Sequence, residues 1–473
     1  MKKFTFLFAF SLFFTASGFA QKTWTLQDCF DHAMQNNISV KQVELSKDLA
    51  QNNLRQSKMN IYLPNINAGV TQSFNFGNSV DPTTYQFVNS ATNSTRFSLS
   101  LNYNLFEGLT RINSIKANKE KLSASEFEIE ELKNNTKLLI TNLYLQIVVA
   151  NEVLELNREN KKLTQNQFNN TSALVDAGIV AQGAVLDIKA QLAQNDLDIL
   201  NAENTLEKTL NQLKLLLQLD PYEAFGIAEI DVPENLVIGE LNPEKINQSA
   251  LNTLPQIKAA DLRLKAAEFD LKATKGSLLP TLSLSGFVGT NYFSAAQEVT
   301  STQTVNNPIN VDIGGTPVVV NFPSEQPVFS KTNFEKQLGN NLSENISLSL
   351  NIPILGAWQR RTAISNAKLN VLQSTLEIDV KKQQLNQDVF TAYTDLRMAY
   401  NRYEVTKSSI EATTLAYDYA NEKYRAGLLN ALEFETARNR KIAAKANQVQ
   451  AKYEYFFRKI ILDYYQTGTL SLD

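Results

Sequence analysis

Residues 57–70 read SKMNIYLPNINAGV and residues 274–288 read TKGSLLPTLSLSGFV, with Pro64 and Pro280 in matching places. A second stretch, RFSLSLNYNLFEGLTRINSIKAN from Arg96, returns as NISLSLNIPILGAWQRRTAISNAK from Asn345. The phrase Asp176-Ala-Gly-Ile-Val likewise returns as Arg425-Ala-Gly-Leu-Leu. The chain is written twice. Each copy predicts the same order: helix, short alternating strand, short alternating strand, very long helix, glycine turn, helix. Two copies of a unit this elongated suggest a tube wall rather than an enzyme fold.

The strands carry the first physical clue. In residues 65–76, Ile66, Ala68, Val70, Phe74 and Phe76 share one face, and Asn65, Asn67, Thr71, Ser73 and Asn75 share the other. From Arg96, Phe97, Leu99, Leu101, Tyr103 and Leu105 alternate with Ser98, Ser100, Asn102 and Asn104. After Pro280, Leu282, Leu284, Val288 and Tyr292 alternate with Thr281, Ser283, Ser285 and Asn291, although Phe287 breaks the register. Ile346, Leu348, Leu350, Ile352 and Ile354 alternate with Ser347, Ser349 and Asn351. A period of two sustained for about ten residues is what a tilted strand needs to cross a bilayer. The alternative is a soluble sandwich half buried on a core. Against it stand the Ser, Thr and Asn of the polar face, suited to a water-filled lumen, and the wide separation of the two strand pairs. Four strands cannot close a barrel, and open edges are not tolerated in lipid. A membrane-spanning reading therefore requires a barrel shared between chains. Three chains give about twelve strands, an even number within the range of known barrels.

The connections inside the two pairs differ. The first, around residues 77–95, is short and rich in Asn, Ser and Thr. The second, around 294–342, contains Gly314-Gly315, Pro308, Pro317, Pro323 and Pro327 and is read as a long outer-surface loop. The offset between copies grows from 216 residues at Pro64/Pro280 to 249 at Ser98/Ser347, an insertion of 33.

Helices fill the rest. No glycine or proline lies between Gly108 and Gly178 or between Gly356 and Gly427. At helical rise, each stretch could extend about 100 Å. Leu138, Leu139, Leu143, Tyr144, Ile147 and Val148 in the first, and Leu385, Val389, Tyr393, Leu396, Tyr400 and Tyr403 in the second, form apolar stripes suited to packing on neighbouring helices. Helices are predicted before the strand pairs over 25–58 and 242–275, and return helices over 184–219 and 431–465. The segment 220–243, with Pro221, Gly226, Pro233 and Gly239, joins the halves. The domain expectation is therefore a first repeat over 21–230 (β-hairpin about 61–106) and a second over 231–473 (β-hairpin about 279–355).

Composition bounds the function. With 43% hydrophobic residues, 20% charged residues and a net charge of -3, the chain is ordered and has no electrostatic pull toward nucleic acid. Residues 1–20, with Lys2 and Lys3 before an apolar run and small residues ahead of Gln21, read as a secretory signal peptide. No later stretch is read as a transmembrane helix. The single cysteine, Cys29, is placed too far beyond the apolar run for a lipid anchor and is expected to be a buried helix residue. No phosphate loop, metal-ligand cluster or catalytic constellation is legible, so no enzyme activity and no cofactor are expected. His32, four residues after Asp28, is read as a surface residue, and Glu130-Glu131 as part of a solvated face.

The whole pattern resembles the TolC-type outer-membrane efflux protein family. The matching residues are Thr25-Leu26-Gln27-Asp28-Cys29 with Ala33 and Asn36-Asn37, and Leu63-Pro64-Asn65-Ile66 and Leu279-Pro280-Thr281-Leu282 at helix-to-strand joints. To these add Leu105-Phe106-Glu107-Gly108 with Arg111 and Ile354-Leu355-Gly356 with Arg360 and Arg361 at strand-to-helix joints, and Tyr424-Arg425-Ala426-Gly427 at a hairpin tip. The resemblance implies a mainly α protein with a transmembrane β part. It further implies a homotrimer with a twelve-stranded barrel in the outer membrane and a helical tube in the periplasm. Its partners would be a periplasmic adaptor, an inner-membrane pump and outer-membrane lipid. The function implied is a passive exit duct for efflux or type I secretion. The rival is a periplasmic coiled-coil adaptor or scaffold, which would show one helical hairpin and compact β domains.

Two candidate sites follow. The tips Gly178-Ile179-Val180-Ala181 and Gly427-Leu428-Leu429-Asn430 place apolar residues at turns, where the family meets its adaptor; alternatively they pack on one another. Past the second tip, Glu433 or Glu435 in three copies would form an acidic ring at an inner mouth. The family places an acid at the position of Glu433 and pairs the tyrosine equivalent to Tyr424 with an acid that is Ala184 here. Asp187 is the substitute at hand, and Glu433 reads equally as an ordinary exposed helix acid.

Overall fold

The computed structural model describes residues 23–80, 85–89, 91–230, 232, 241–356 and 358–470. The predicted signal peptide and the middle of the joining segment, residues 233–240, lie outside them. In chain order the elements are β1 (Thr23–Trp24), α1 (Leu26–Asn36), α2 (Ile38–Tyr62), β2 (Asn65–Asn75), β3 (Asn78–Val80), β4 (Phe87–Asn89) and β5 (Thr92–Glu107). There follow α3 (Thr110–Asp176), α4 (Gly183–Leu217), β6 (Gly226–Ile227), α5 (Pro243–Thr253), α6 (Pro255–Gly276) and β7 (Thr281–Phe293). The chain closes with β8 (Gln297–Ile313), β9 (Thr316–Lys331), α7 (Phe334–Asn340), β10 (Ser343–Asn351), α8 (Gln359–Arg425) and α9 (Ala431–Thr467). Both glycine-free stretches form single helices, α3 and α8, of 67 residues each.

Packing divides the chain into two units. Among the described residues, a helical unit gathers those up to Gln51, those within Glu120–Lys265 and those from Leu372; a strand unit gathers those within Asn52–Lys119 and Ala266–Val371. Each unit draws on both sequence copies.

In the helical unit there are two cores of matching design. Leu26, Cys29, Phe30 and Ala33 of α1 pack with Ile140, Tyr144, Ile147 and Val148 of α3 and Leu213 and Leu217 of α4. Ile246, Ala250, Leu254 and Ile257 pack with Leu385, Val389 and Leu396 of α8 and Tyr455 and Leu462 of α9. By length and composition α3 also carries a window apolar enough to cross a membrane, contrary to the expectation above, but 44% of that window is buried. Ile140, Tyr144, Ile147 and Val148 show what this helix's apolar stretch does: it forms the core.

Two helices expected to be continuous are each broken once, at matching places. Asn37 leaves the helical region with ψ 125 between α1 and α2. Its Oδ1 accepts from the amides of Ser39 at 2.9 Å and Val40 at 3.3 Å, and its Nδ2 donates to the Leu216 carbonyl at 3.1 Å. Leu254, with ψ 136, separates α5 from α6 because Pro255 disfavours a helical residue before it. Cys29 is fully buried, and burial pushes its thiol up to about 12. At about pH 8, where a free thiol is partly ionised, folded protein should take up no maleimide, and denatured protein one equivalent. Labelling of the folded protein would contradict the burial.

The strand unit is built on an antiparallel sheet of order β10-β7-β5-β2. Its registers put Ile66 opposite Leu101, Val70 opposite Phe97, Leu99 opposite Val288 and Leu348 opposite Leu284 on one face. The other face pairs Asn65 with Asn102, Asn67 with Ser100, Asn102 with Ser285 and Ser349 with Ser283. Phe287, the residue that broke the sequence pattern, pairs with Ser100 on this polar face. The apolar face rests on no core: Val70 is 68%, Phe74 65%, Ile346 83% and Leu348 63% exposed.

The long connection in the second strand pair is not a loop, and that expectation is overturned. β8 and β9 form a two-stranded ribbon, and α7 follows it. Gly314 and Gly315 both have positive φ, 66 and 87, the backbone of a two-residue type I′ turn whose twist suits a hairpin. The four prolines sit within the strands, opposite Asn321, Asp312, Asn306 and Thr302. Counted from the two-residue turn, whose flanking pair Ile313/Thr316 is hydrogen-bonded, all four fall in pairs whose backbone amides point away from the partner strand. A proline there costs the ladder nothing.

Candidate functional site

The two tips share one backbone solution. At the first, the Gly178 amide donates to the Val175 carbonyl and the Ile179 amide to that of Leu174, both at 2.9 Å. At the second, Gly427 donates to Tyr424 at 3.0 Å and Leu428 to Lys423 at 2.9 Å. This is the Schellman ending, which needs a left-handed residue, supplied by Gly178 at φ 73 and Gly427 at φ 71. The residue after each glycine projects into solvent: Ile179 is 70% and Leu428 77% exposed. Ala181 and Asn430 are exposed, and Val180 and Leu429 half-buried. Most of the apolar surface at the turns is thus uncovered.

The re-entry into helix differs. Gln182 precedes α4 without a side-chain cap. Asn430 caps α9 in a capping box: its side chain accepts from the Glu433 amide at 2.9 Å, and the Glu433 carboxylate accepts from the Asn430 amide at 3.4 Å. Glu433 is exposed and lies in the first turn, where the helix dipole favours a negative charge. Asp187 is exposed on α4. Tyr424 is half-buried and stacks on Phe434 at 4.7 Å, with Tyr417 on the same ring at 5.8 Å. Among the described residues no hydrogen bond joins Tyr424 to Asp187.

Glu435 has a different setting from its neighbour Glu433. Its carboxylate meets the Arg438 guanidinium at 2.5 Å, with side-chain exposures of 14% and 3% respectively. Arg438 also donates through Nη1 to Gln167 Oε1 at 3.0 Å and through Nη2 to Thr164 Oγ1 at 2.8 Å, both on α3. Thr164 in turn accepts from Asn195 Nδ2 of α4 at 2.7 Å and donates to the Asn160 carbonyl at 3.0 Å. Asn195 Oδ1 accepts from Gln191 at 3.1 Å and Asn160 at 3.3 Å. One buried polar network thus ties α9 to α3 and α4 within a few turns of the tips. Burial pushes the Glu435 carboxyl up, opposed by Arg438, and pulls the Arg438 guanidinium down. Arg438 Nε and Asn160 Oδ1 are buried without hydrogen-bond partners.

Arg438, Thr164 and Asn195 went unseen in the sequence. Glu435-x-x-Arg438 looks like any surface pair at i,i+3. The signal was the adjacency of buried Phe434, which turns this face of α9 inward, and polar residues set at core-stripe positions of α3 and α4. The arrangement ties three helices together through side chains.

Comparison with known proteins bears on what such helices serve. The sequence model for outer membrane efflux proteins matches residues 30–218 and again 246–457. The outer membrane efflux protein BepC of Brucella suis biovar 1 (strain 1330) is 23% identical over 443 residues, covering 93% of this chain and 84% of that protein. The outer membrane protein TolC of Salmonella enteritidis is 20% identical over 468 residues, covering 96% and 84%. Among solved structures, one of CusC, described with the conformational changes accompanying folding and transmembrane channel formation, superposes with a TM-score of 0.73 at 16% identity, covering 94% of this chain and 92% of that one.

Proposed function

This chain belongs to the outer membrane efflux protein family, and from that premise we propose that three copies form a closed channel. The family is one of export ducts in the outer membrane, not of enzymes. The finer reading is a homotrimer with a twelve-stranded barrel and a periplasmic helical tube, each chain contributing two tandem repeats over 21–230 and 231–473. A periplasmic adaptor links it to an inner-membrane pump, and drugs or other exported substrates leave by diffusion through the lumen.

One observation carries this reading: a four-stranded sheet whose apolar face is uncovered and whose two edges, β10 and β2, are both open. Each neighbouring pair in the order is antiparallel. β10 and β2 therefore run in opposite directions, and joining copies edge to edge continues the antiparallel pattern without a fault. Closure removes the open edges, and lipid covers the apolar face. The soluble-scaffold alternative leaves Val70, Phe74, Ile346 and Leu348 in water.

The test is assembly and conduction together. Protein extracted from outer membranes in mild detergent should run as a trimer and open pores in planar bilayers; a monomer that opens none would end the reading. We assign adaptor docking to the tips, through Ile179 and Leu428, and the gate to the second-tip region. Of the gate candidates Glu433, Glu435, Tyr424 and Asp187, Glu433 offers an exposed carboxylate beside the tip. Glu433→Gln should lower cation preference, because three charges leave the mouth, and should cost no more than about 1 kcal/mol of helix capping. Unchanged ion selectivity would remove Glu433 from the channel wall.

A further inference from the structure

The β8–β9 ribbon carries an apolar band on one face, densest toward its turn. The register places Val305, Ile309, Val311, Val318, Val320, Phe322 and Val328 on one side, with Gln303, Asn307, Ser324 and Gln326 among them toward the base, and Thr304, Asn306, Asn310, Asp312, Val319, Asn321 and Glu325 on the other. Of the apolar set, Ile309 is 49%, Phe322 51% and Val318 41% exposed. A lone two-stranded hairpin is marginal in water, and one with an uncovered apolar face calls for a cover.

The ribbon's base is fixed. Gln337 of α7, 3% exposed, donates to the Phe293 carbonyl at 3.1 Å and accepts from the Phe293 amide at 2.9 Å, imitating a strand neighbour at the end of β7. The same side chain donates to the Thr332 carbonyl at 2.9 Å. Thr290 Oγ1 donates to Leu338 at 2.7 Å, Asn341 Nδ2 to Asn291 at 2.7 Å, and Lys336 pairs with Glu298. The ribbon therefore leaves the sheet in a set direction.

Its prolines decide how it is engaged. Pro308 removes a donor from the outer edge of β8, and Pro317, Pro323 and Pro327 remove donors from that of β9. Strand addition is thereby interrupted once along the β8 edge and at three places along the β9 edge. These interruptions favour contact through the face over contact along an edge.

We propose that the apolar face of the β8–β9 ribbon packs against another copy of this chain, at the end of the barrel opposite the α6–β7 joint. This rests on the trimer reading. The ribbon is inserted between β7 and β10, and β10 is one of the edges that must meet another copy, so the face continues the interface that closes the barrel. In such a ring the copies face one another at high effective concentration. The face carries no charged residue, so burying it against a neighbouring copy desolvates no charge. The charges elsewhere on the ribbon are Glu298, Asp312, Glu325 and Lys331, an acidic balance that disfavours anionic lipid headgroups as the cover.

The test replaces Phe322, on the apolar face, with the photo-crosslinking residue benzoylphenylalanine, and separately Asn321, on the opposite face. Cells are irradiated, and outer membranes are examined on denaturing gels and, unirradiated, for trimer in mild detergent. Covalent multimers of this chain from position 322, and far fewer from 321, are expected. Uncrosslinked chain from position 322 in a preparation that still contains trimer would overturn the ribbon contact alone. Absence of trimer from the unsubstituted protein would overturn the channel reading and this proposal with it. Adducts to lipid or to another protein from position 322 assign the face to that occupant and overturn the proposal, as do equal multimers from both positions.

Discussion

Arg438→Ala is expected to destabilise the helical unit by about 3–5 kcal/mol, the usual consequence of removing one partner from a buried ion pair. Arg438 is 2% exposed and is the cation beside Glu435. Truncation leaves the Glu435 carboxylate in a site from which water is excluded, and it also takes a donor from Thr164 and one from Gln167. The pH dependence of the loss has a definite sign. Burial already raises the Glu435 pKa above its ordinary 4.5, and loss of the guanidinium raises it further. An acid whose folded-state pKa is raised binds its proton more tightly when folded. Its penalty is therefore absent below the unfolded pKa, grows as pH rises toward the folded pKa, and is complete above it. The variant should accordingly lie nearest to wild type in acid and fall furthest behind at neutral pH.

A second substitution separates charge from packing. Replacing the pair together, Glu435→Leu with Arg438→Met, removes both desolvated charges and keeps most of the volume. It should recover much of the loss, because buried ion pairs seldom outperform well-packed apolar residues of similar size. Thermal unfolding in mild detergent, followed by helical ellipticity, reads both variants. An Arg438→Ala protein as stable as wild type at neutral pH would show that Glu435 is not confined as described.

This network also marks where the sequence stopped being informative. The long helices were legible because 67 residues without glycine or proline leave the backbone one regular option. The tips were legible because Gly178 and Gly427 are needed for a left-handed ending. The strands were legible from their period, down to Phe287 on the polar face. Buried polar residues inside a helix write no comparable signature. Thr164 and Asn195, 0% and 1% exposed, look in sequence like any solvated position, and only the packing of three helices makes them interior.

Two departures from the periodic pattern have local causes in the sequence. Pro255 fixed the break at Leu254, and passing over it made one helix of two. Asn37 makes the matching break by side-chain hydrogen bonds, which no period reveals. In the β8–β9 ribbon, prolines read as loop markers by composition, although Pro317, Pro323 and Pro327 stand six and four positions apart and Gly314-Gly315 sits between valine- and isoleucine-rich runs. Even spacing puts the three in the same class of strand position. Proline excludes a hydrogen-bonded site in a ladder, not the ladder itself.

The other large effect is expected at glycine, where the two sequence copies touch inside the strand unit. Gly108 follows β5 at φ 55, and a Cβ there would lie 2.2 Å from the Gly276 carbonyl oxygen and 2.7 Å from Leu279 Cβ. Gly276, which ends α6, is equally confined, with a Cβ only 2.4 Å from the Gly108 oxygen. Thr110 Oγ1 closes the joint by donating to the Ala273 carbonyl at 3.1 Å. Gly108→Ala meets two costs at once: a left-handed backbone for a residue with a Cβ, about 1–2 kcal/mol, and overpacking against backbone atoms that cannot rotate aside, about 1–3 kcal/mol. A loss of about 2–5 kcal/mol and a steep fall in trimer recovered from outer membranes are expected. Gly276→Ala meets the steric cost without the left-handed one and should fall between Gly108→Ala and wild type. Gly286→Ala is the control, since its Cβ would have Leu101 Cβ at 3.7 Å, an ordinary contact, and its trimer yield should match wild type. Equal yields from all three variants would mean that the β5–α3 and α6–β7 connections do not cross at these two glycines.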